Sequence, residues 1–174
     1  MKEAARIMTR HFDVRAFRTA LGQFATGVTI ITAYGEDGAP FGMTANSFSS
    51  LSLDPPLVLW SIDKKATLFD AFERTSGYMV NVLSAQQQAL CGRFAQRNDD
   101  PRLAKHRFDG IATDGKGRFG PRLAGSLAAF DCAVEARIDG GDHRIVIGRV
   151  DDFVMQANSP LVFFAGRLTT LPPA

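Results

Sequence analysis

At 174 residues and 18.9 kDa the chain has the length of one domain with one sizeable core. Its 45% hydrophobic and 22% charged residues describe a folded globular protein, which excludes a disordered or membrane-embedded chain. The formal charge is only +2, with Lys and Arg dispersed, so the electrostatic footprint of a nucleic-acid binder is missing.

The opening residues Met1 to Phe17 lack the continuous apolar stretch of a signal peptide, and no later segment approaches the length of a membrane span. The expected compartment is the cytoplasm, where Cys91 and Cys132 stay reduced. Neither those cysteines nor His11, His106 and His143 have metal-ligand spacing, so no metal site is expected. Asp13 reads as an N-cap, and Phe17, Leu21 and Phe24 recur at helical spacing before Gly27 stops the run.

Residues 28–34 are β-branched and aromatic, Glu36-Asp37-Gly38 make a turn, and 43–48 resume the pattern, which predicts a hairpin. After Asp54-Pro55-Pro56, residues 57–62 form a short apolar strand, and Lys64-Lys65 connect it to a helix over 66–73. Residues 78–83 predict another strand. Ser84 with Gln87 forms a capping box that opens a helix reaching Ala95. Residues 96–125, rich in charge, Gly and Pro, predict a long loop. From Ala128 to Ile138 apolar and polar residues alternate as in a half-buried strand. Gly140-Gly141 turns the chain into a partner strand over 143–155, and 161–164 make the last strand. Hairpins with a few helices, and no regular strand–helix alternation, predict a mainly β domain with peripheral helices built as an antiparallel barrel. It covers residues 1–174, with a core from about 14 to 171.

Four motifs carry chemistry to be weighed. Residues 115–120 (GKGRFG) have the spacing of a dinucleotide-binding loop, but a polar loop precedes them and Pro121 leads toward a strand, so they read as a flexible loop. Residues 43–56 crowd small hydroxyl and amide side chains between apolar ones. They serve either as an edge strand with ordinary turns or as a surface offering backbone and hydroxyl groups to a flat heteroaromatic ring. Ser61 to Lys65 leave a strand and enter a helix, either as solvated surface or as a site for a phosphate. His143, after a glycine-rich turn, is either a packing residue or a functional one. No nucleophile elbow or Cys–His pair supports a hydrolase.

Taken in order, the segments 24–32 (FATGVTIIT), 42–48 (GMTANSF) running on to 53–58 (LDPPLV), 80–83 (VNVL), 141–148 (GDHRIVIG) and 160–164 (PLVFF) resemble the flavin reductase family, the reductase components of two-component flavin monooxygenases. The resemblance implies an antiparallel split β-barrel of the FMN-binding type, assembled as a homodimer. It also implies a hydride transfer from a nicotinamide nucleotide to FMN or FAD, and release of reduced flavin to an oxygenase component; NADPH is expected to be poorer than NADH because no Arg cluster beside a ribose-binding acid is recognisable. By that similarity Met43, Thr44, Ala45, Asn46, Ser47 and Phe48 line the flavin, and Ser61, Lys64 and Lys65 approach its phosphate. Thr26, Asn81, Phe94 and Arg167 are further neighbours, and His143 belongs to a nicotinamide-side element. The alternatives are an electron-transfer or flavin-storage protein on the same fold, a pyridoxamine-phosphate oxidase, and a non-catalytic ligand-binding barrel. The Gly-Asp-His segment favours the reductase over the oxidase.

Overall fold

The computed structural model describes residues 12–96 and 106–171. Helix α1 (Val14–Leu21) begins where the sequence places it, with the Asp13 carboxylate accepting from the N–H groups of Arg15 and Ala16. It ends earlier than its apolar spacing suggests. Gly22 closes it, and Gly27 falls instead in the short strand β1 (Thr26–Gly27).

The predicted hairpin is present as β2 (Thr29–Tyr34) and β3 (Pro40–Ala45), paired antiparallel from Thr29–Ala45 to Tyr34–Pro40. Strands β4 (Ser49–Leu53) and β5 (Pro56–Asp63) follow. In β5 burial alternates, with Val58, Trp60 and Ile62 inward. Tight turns occupy the next residues, so α2 (Phe69–Arg74) starts after the expected Ala66. Strand β6 (Gly77–Val82) leads to the Ser84/Gln87 capping box, a 3-10 turn and α3 (Gln88–Ala95).

The stretch expected to be a loop over 96–125 contains a hairpin, β7 (Thr113–Lys116) and β8 (Pro121–Leu123). The glycine-rich motif is its turn. Its conformation is set by the Asp131 carboxylate, which accepts from the N–H groups of Arg118 and Phe119. A side chain at Gly120 would sit 2.5 Å from the Thr32 carbonyl oxygen, so this glycine permits packing rather than phosphate binding. Two long strands, β9 (Ala128–Gly140) and β10 (His143–Met155), form the spine of the molecule. The chain closes with β11 (Leu161–Phe164) and a further strand, β12 (Arg167–Thr170), so 161–164 is not the last strand.

The main sheet is seven-stranded and antiparallel in the order β3-β2-β6-β9-β10-β5-β4; β1-β11-β12 and β7-β8 form smaller sheets. Register shifts at Ile147/Gly148 and Val150/Asp152 bend the spine, the usual means of curling a sheet toward a barrel. One core gathers Ile31, Trp60, Phe72, Tyr78 and Val80, with Trp60 packed edge-on to Phe72 at 5.0 Å. A second, containing Val28, Ile30, Cys91, Phe94, Leu123 and Leu161, lies under α3. Strand β2 separates the two and is therefore buried on both faces, which explains its nearly continuous apolar sequence.

Candidate functional site

A cleft of about 680 Å³ opens above the second core, a size suited to a cofactor-sized ligand. The end of β3 supplies one wall through Met43, Thr44 and the neighbouring Asn46. The corner leaving β5 supplies another, from Asp63 to Leu68, including Lys65 and Thr67. Cys91 and Phe94 of α3 form the third, and Phe163, Gly166 and Leu168 of the β11–β12 hairpin complete it. Segments expected from sequence to share a ligand thus meet here: Met43, Thr44, Asn46, Lys65 and Phe94 all line this one space.

Local bonding fixes these walls. Thr44 donates its hydroxyl to the Cys91 carbonyl at 2.8 Å and ties β3 to α3. Burial raises the Cys91 thiol above its ordinary pKa, with the Thr44 hydroxyl acting weakly the other way. At the corner, the Lys65 N–H donates to the Asp63 carboxylate at 2.8 Å.

The cleft also contains a cation that the sequence reading does not select. Arg107 is 8% exposed and lines the cleft. Its guanidinium donates to the carbonyls of Gly42 at 3.2 Å, Phe94 at 3.5 Å and Gln96 at 2.5 Å, and no carboxylate among the described residues pairs with it. Burial lowers its pKa from the usual arginine value. Arg93 answers from α3 by donating to the carbonyls of His106 at 2.7 Å and Asp109 at 2.8 Å. The two arginines clasp the end of α3 to the turn after it. Arg107 lies in a stretch without periodicity, and only its neighbour Phe108, packed on Phe94 at 5.0 Å, hints at burial.

Other expected site residues lie elsewhere. Ala45 is buried, and its carbonyl accepts from the Thr29 hydroxyl at 2.7 Å. The Ser47 hydroxyl donates to the Ser61 carbonyl at 3.0 Å and accepts the Ser61 N–H at 2.9 Å, so these two clip β5 to the β3–β4 connection and do not line the cleft. Phe48 packs on Phe130 with ring centroids 5.8 Å apart and belongs to the first core.

Asn81 is fully buried and its amide is spent: it donates to the Ile30 carbonyl and the Thr32 hydroxyl, each at 3.2 Å, and accepts from the Leu123 N–H at 2.8 Å. It holds β8 against the sheet and has no atom left for a ligand. Arg167 is exposed on β12, between the cleft residues Gly166 and Leu168. Thr26 pairs with the cleft residue Phe163, and its hydroxyl is buried without a hydrogen-bond partner. Such an orphaned donor beside a cleft fits a polar ligand.

Lys64 turns toward the β9–β10 hairpin, where its ammonium lies 2.7 Å from the Asp139 carboxylate. His143 begins β10 at that hairpin tip, and its side chain is 43% exposed, more than a residue enclosed in the core. Its Nδ1 is 2.7 Å from the Asp142 carboxylate, and that contact holds the Asp142 carboxyl below its ordinary pKa. In the ladder His143 stands opposite Asp63, a cleft residue.

Comparison with known proteins places the geometry among relatives. The family described as "Flavin reductase like domain" matches residues 21–172. The chain is 44% identical over 162 residues to the flavin-dependent monooxygenase reductase subunit HsaB of Rhodococcus jostii, covering 92% of this chain and 80% of HsaB. It is 41% identical to the FMN reductase (NADH) SmoA of Agrobacterium fabrum, covering 87% and 83% of the two chains. Among solved structures, the Streptomyces globisporus NADH:FAD oxidoreductase SgcE6, in complex with NAD and FAD fragments, superposes with a TM-score of 0.83 at 35% identity. That match covers 92% of this chain and 94% of SgcE6.

Proposed function

We propose, on the premise that this chain belongs to the flavin reductase family, that it oxidises NADH, reduces FMN or FAD in the cleft, and releases the reduced flavin to a separate oxygenase component. The observation that carries this reading is the convergence of Met43, Thr44, Asn46, Lys65 and Phe94 on one cofactor-sized cleft.

When bound, flavin supplies the two-electron acceptor, so the protein need not provide a nucleophile. Its residues bind and orient. Lys65 and Thr67 at the corner would hold the flavin phosphate; Lys65 is favoured over Lys64 because it lines the cleft, whereas Lys64 pairs with Asp139. Met43 and Phe94 would offer apolar surface to the ring, and Asn46 a polar side chain to its edge. Arg107 places a fixed positive charge in the wall, favourable to negative charge developing on the ring. His143, opposite the cleft residue Asp63, would flank the nicotinamide. Residues that held the two rings in alignment would supply on the order of 7–11 kcal/mol of entropic advantage.

The reading includes a single domain over the whole chain, a cytoplasmic setting and a homodimer. No helix among the described residues is long and apolar enough to cross a membrane, and both thiols are free. Exposed apolar residues support the dimer: Phe24 is 78%, Met155 81% and Leu53 95% exposed.

Steady-state oxidation of NADH and NADPH, each with FMN, FAD or no flavin, tests the function. Flavin-dependent turnover with NADH above NADPH is expected. Absence of turnover in every combination defeats the proposal.

A further inference from the structure

Strand β5 ends beside the tip of the β9–β10 hairpin. The last ladder pairs are Asp63 opposite His143 and His143 opposite Gly140. One residue beyond them, Lys64 continues the contact in a different way. Its N–H donates to the Asp142 carbonyl at 3.0 Å, its ammonium donates to the Gly141 carbonyl at 2.9 Å, and the same ammonium is 2.7 Å from the Asp139 carboxylate.

Asp139 is shared. Arg144 approaches it at 3.4 Å and also reaches Glu73 of α2 at 3.4 Å. Arg137 meets the same Glu73 at 3.6 Å and donates to the α2 carbonyl of Phe72 at 3.0 Å. Lys64 therefore grips the whole tip, from Asp139 to Asp142, and links it through Asp139 and Arg144 to α2. The next residue in the chain, Lys65, enters the cleft wall.

We infer that Lys64 is a positioning residue: it staples the turn carrying His143 to the cleft corner carrying Lys65, so that the two sides of the reaction site move as one body. This rests on the reading of the cleft and of His143 given above. Lys64 has little left to offer a phosphate, because two of its three ammonium N–H donors are engaged, by the Asp139 carboxylate and the Gly141 carbonyl. Removing its ammonium frees the tip and disturbs the nicotinamide side, while the flavin wall keeps Lys65. An Arg at this position preserves the charge and donors, and Asp139→Asn breaks the same link from the exposed side.

The test uses Lys64→Met, Lys64→Arg, Asp139→Asn and Lys65→Met, with three readouts. These are FMN affinity by fluorescence titration, NADH KM at saturating FMN, and amide hydrogen exchange over residues 139–144 in the flavin-free protein. Lys64→Met and Asp139→Asn are each expected to raise the NADH KM about three- to tenfold and to speed exchange at the tip, with FMN affinity within about twofold of wild type. Lys64→Arg should restore wild-type values, and Lys65→Met should weaken FMN binding without altering exchange. The Lys64→Met/Asp139→Asn double variant should show less than the sum of the two single effects, because both singles remove the Lys64–Asp139 contact, while Lys64→Met alone loses the Gly141 bond and Asp139→Asn alone weakens the Arg144 pair.

Unchanged exchange or unchanged NADH KM in Lys64→Met overturns the staple, as does a tenfold loss of FMN affinity there with NADH KM intact. Should Lys64→Met fail to fold, Asp139→Asn decides by the same readouts. A wild-type protein that oxidises no NADH defeats the proposed function, an outcome separate from the exchange result, which needs no turnover.

Discussion

At the scale of single residues, the proposed roles of Lys65 and His143 give the sharpest tests. A charge-assisted hydrogen bond is worth about 1.5–3 kcal/mol, so Lys65→Gln should raise the FMN dissociation constant by about ten- to a hundredfold while leaving the rate at saturating flavin nearly intact. Fluorescence titration measures the first and stopped-flow reduction the second. For His143, partial exposure separates function from stability: His143→Ala should raise the NADH KM or slow flavin reduction about tenfold with no loss of melting temperature. A lower melting temperature with normal stopped-flow rates would return it to a packing role. Residue types alone do not divide ligand contacts from internal bonds. Thr44 and Ser47 look equivalent in sequence, yet one lines the cleft and the other is consumed by Ser61. Asn81 is a stronger case, because the sequence gives no sign that Leu123, far along the chain, claims its carbonyl oxygen.

Carboxylates along strand β9 and at its hairpin turn respond to acid in opposite directions. Asp139, beside Lys64 and then Arg144, and Asp142, beside His143, both have carboxyl pKa values below the ordinary one. Their stabilising contribution is therefore present above the usual carboxylate range and is lost as pH falls through the lowered values. Asp131 lies the other way, raised by burial although the Arg118 and Phe119 N–H groups oppose the shift. Its contribution is greatest in acid and is lost as pH rises through the raised value. Carboxyl-carbon NMR titration should find Asp139 and Asp142 midpoints below, and Asp131 above, the unperturbed value of about 3.9. The same Asp131 explains why the β7–β8 hairpin escapes a periodicity reading. Thr113–Lys116 has no apolar alternation, and the turn is shaped by a carboxylate on a distant strand. Helix α1 shows the converse: its cap and apolar spacing are plain in the sequence, but none of its residues is buried within the chain. At the end of α3, Arg107→Met should lower stability by about 1–3 kcal/mol, because buried carbonyls lose their donor. Thermal melts with and without FMN would show both the loss and a weaker flavin-induced shift.

Across the whole molecule, the barrel is legible because its hairpins are local: Gly140-Gly141 and Glu36-Asp37-Gly38 announce turns between strands that do pair. The β1–β11 pairing is not legible from such signals, since it joins Thr26 to Phe163 across most of the chain. Packing between distant strands is equally silent until it is disturbed. A side chain at Gly148 would come within 2.3 Å of the Tyr78 hydroxyl and 2.9 Å of Cys132 Cβ, both in the core, so Gly148→Ala should cost about 1–3 kcal/mol in a chemical denaturation curve.

The cleft inherits this long-range character. Its walls come from Val28 near the start of the described chain, from the corner at Asp63, from α3 and from Leu168 near the end. No fragment of the fold owns it, so occupancy and global integrity are thermodynamically linked: ligand bound only by the complete fold withdraws molecules from every partly opened state. Flavin at a hundredfold its dissociation constant would add about 2.7 kcal/mol to the unfolding free energy. The cell's free flavin pool would thereby set how long this protein survives proteolysis, apart from how fast it works.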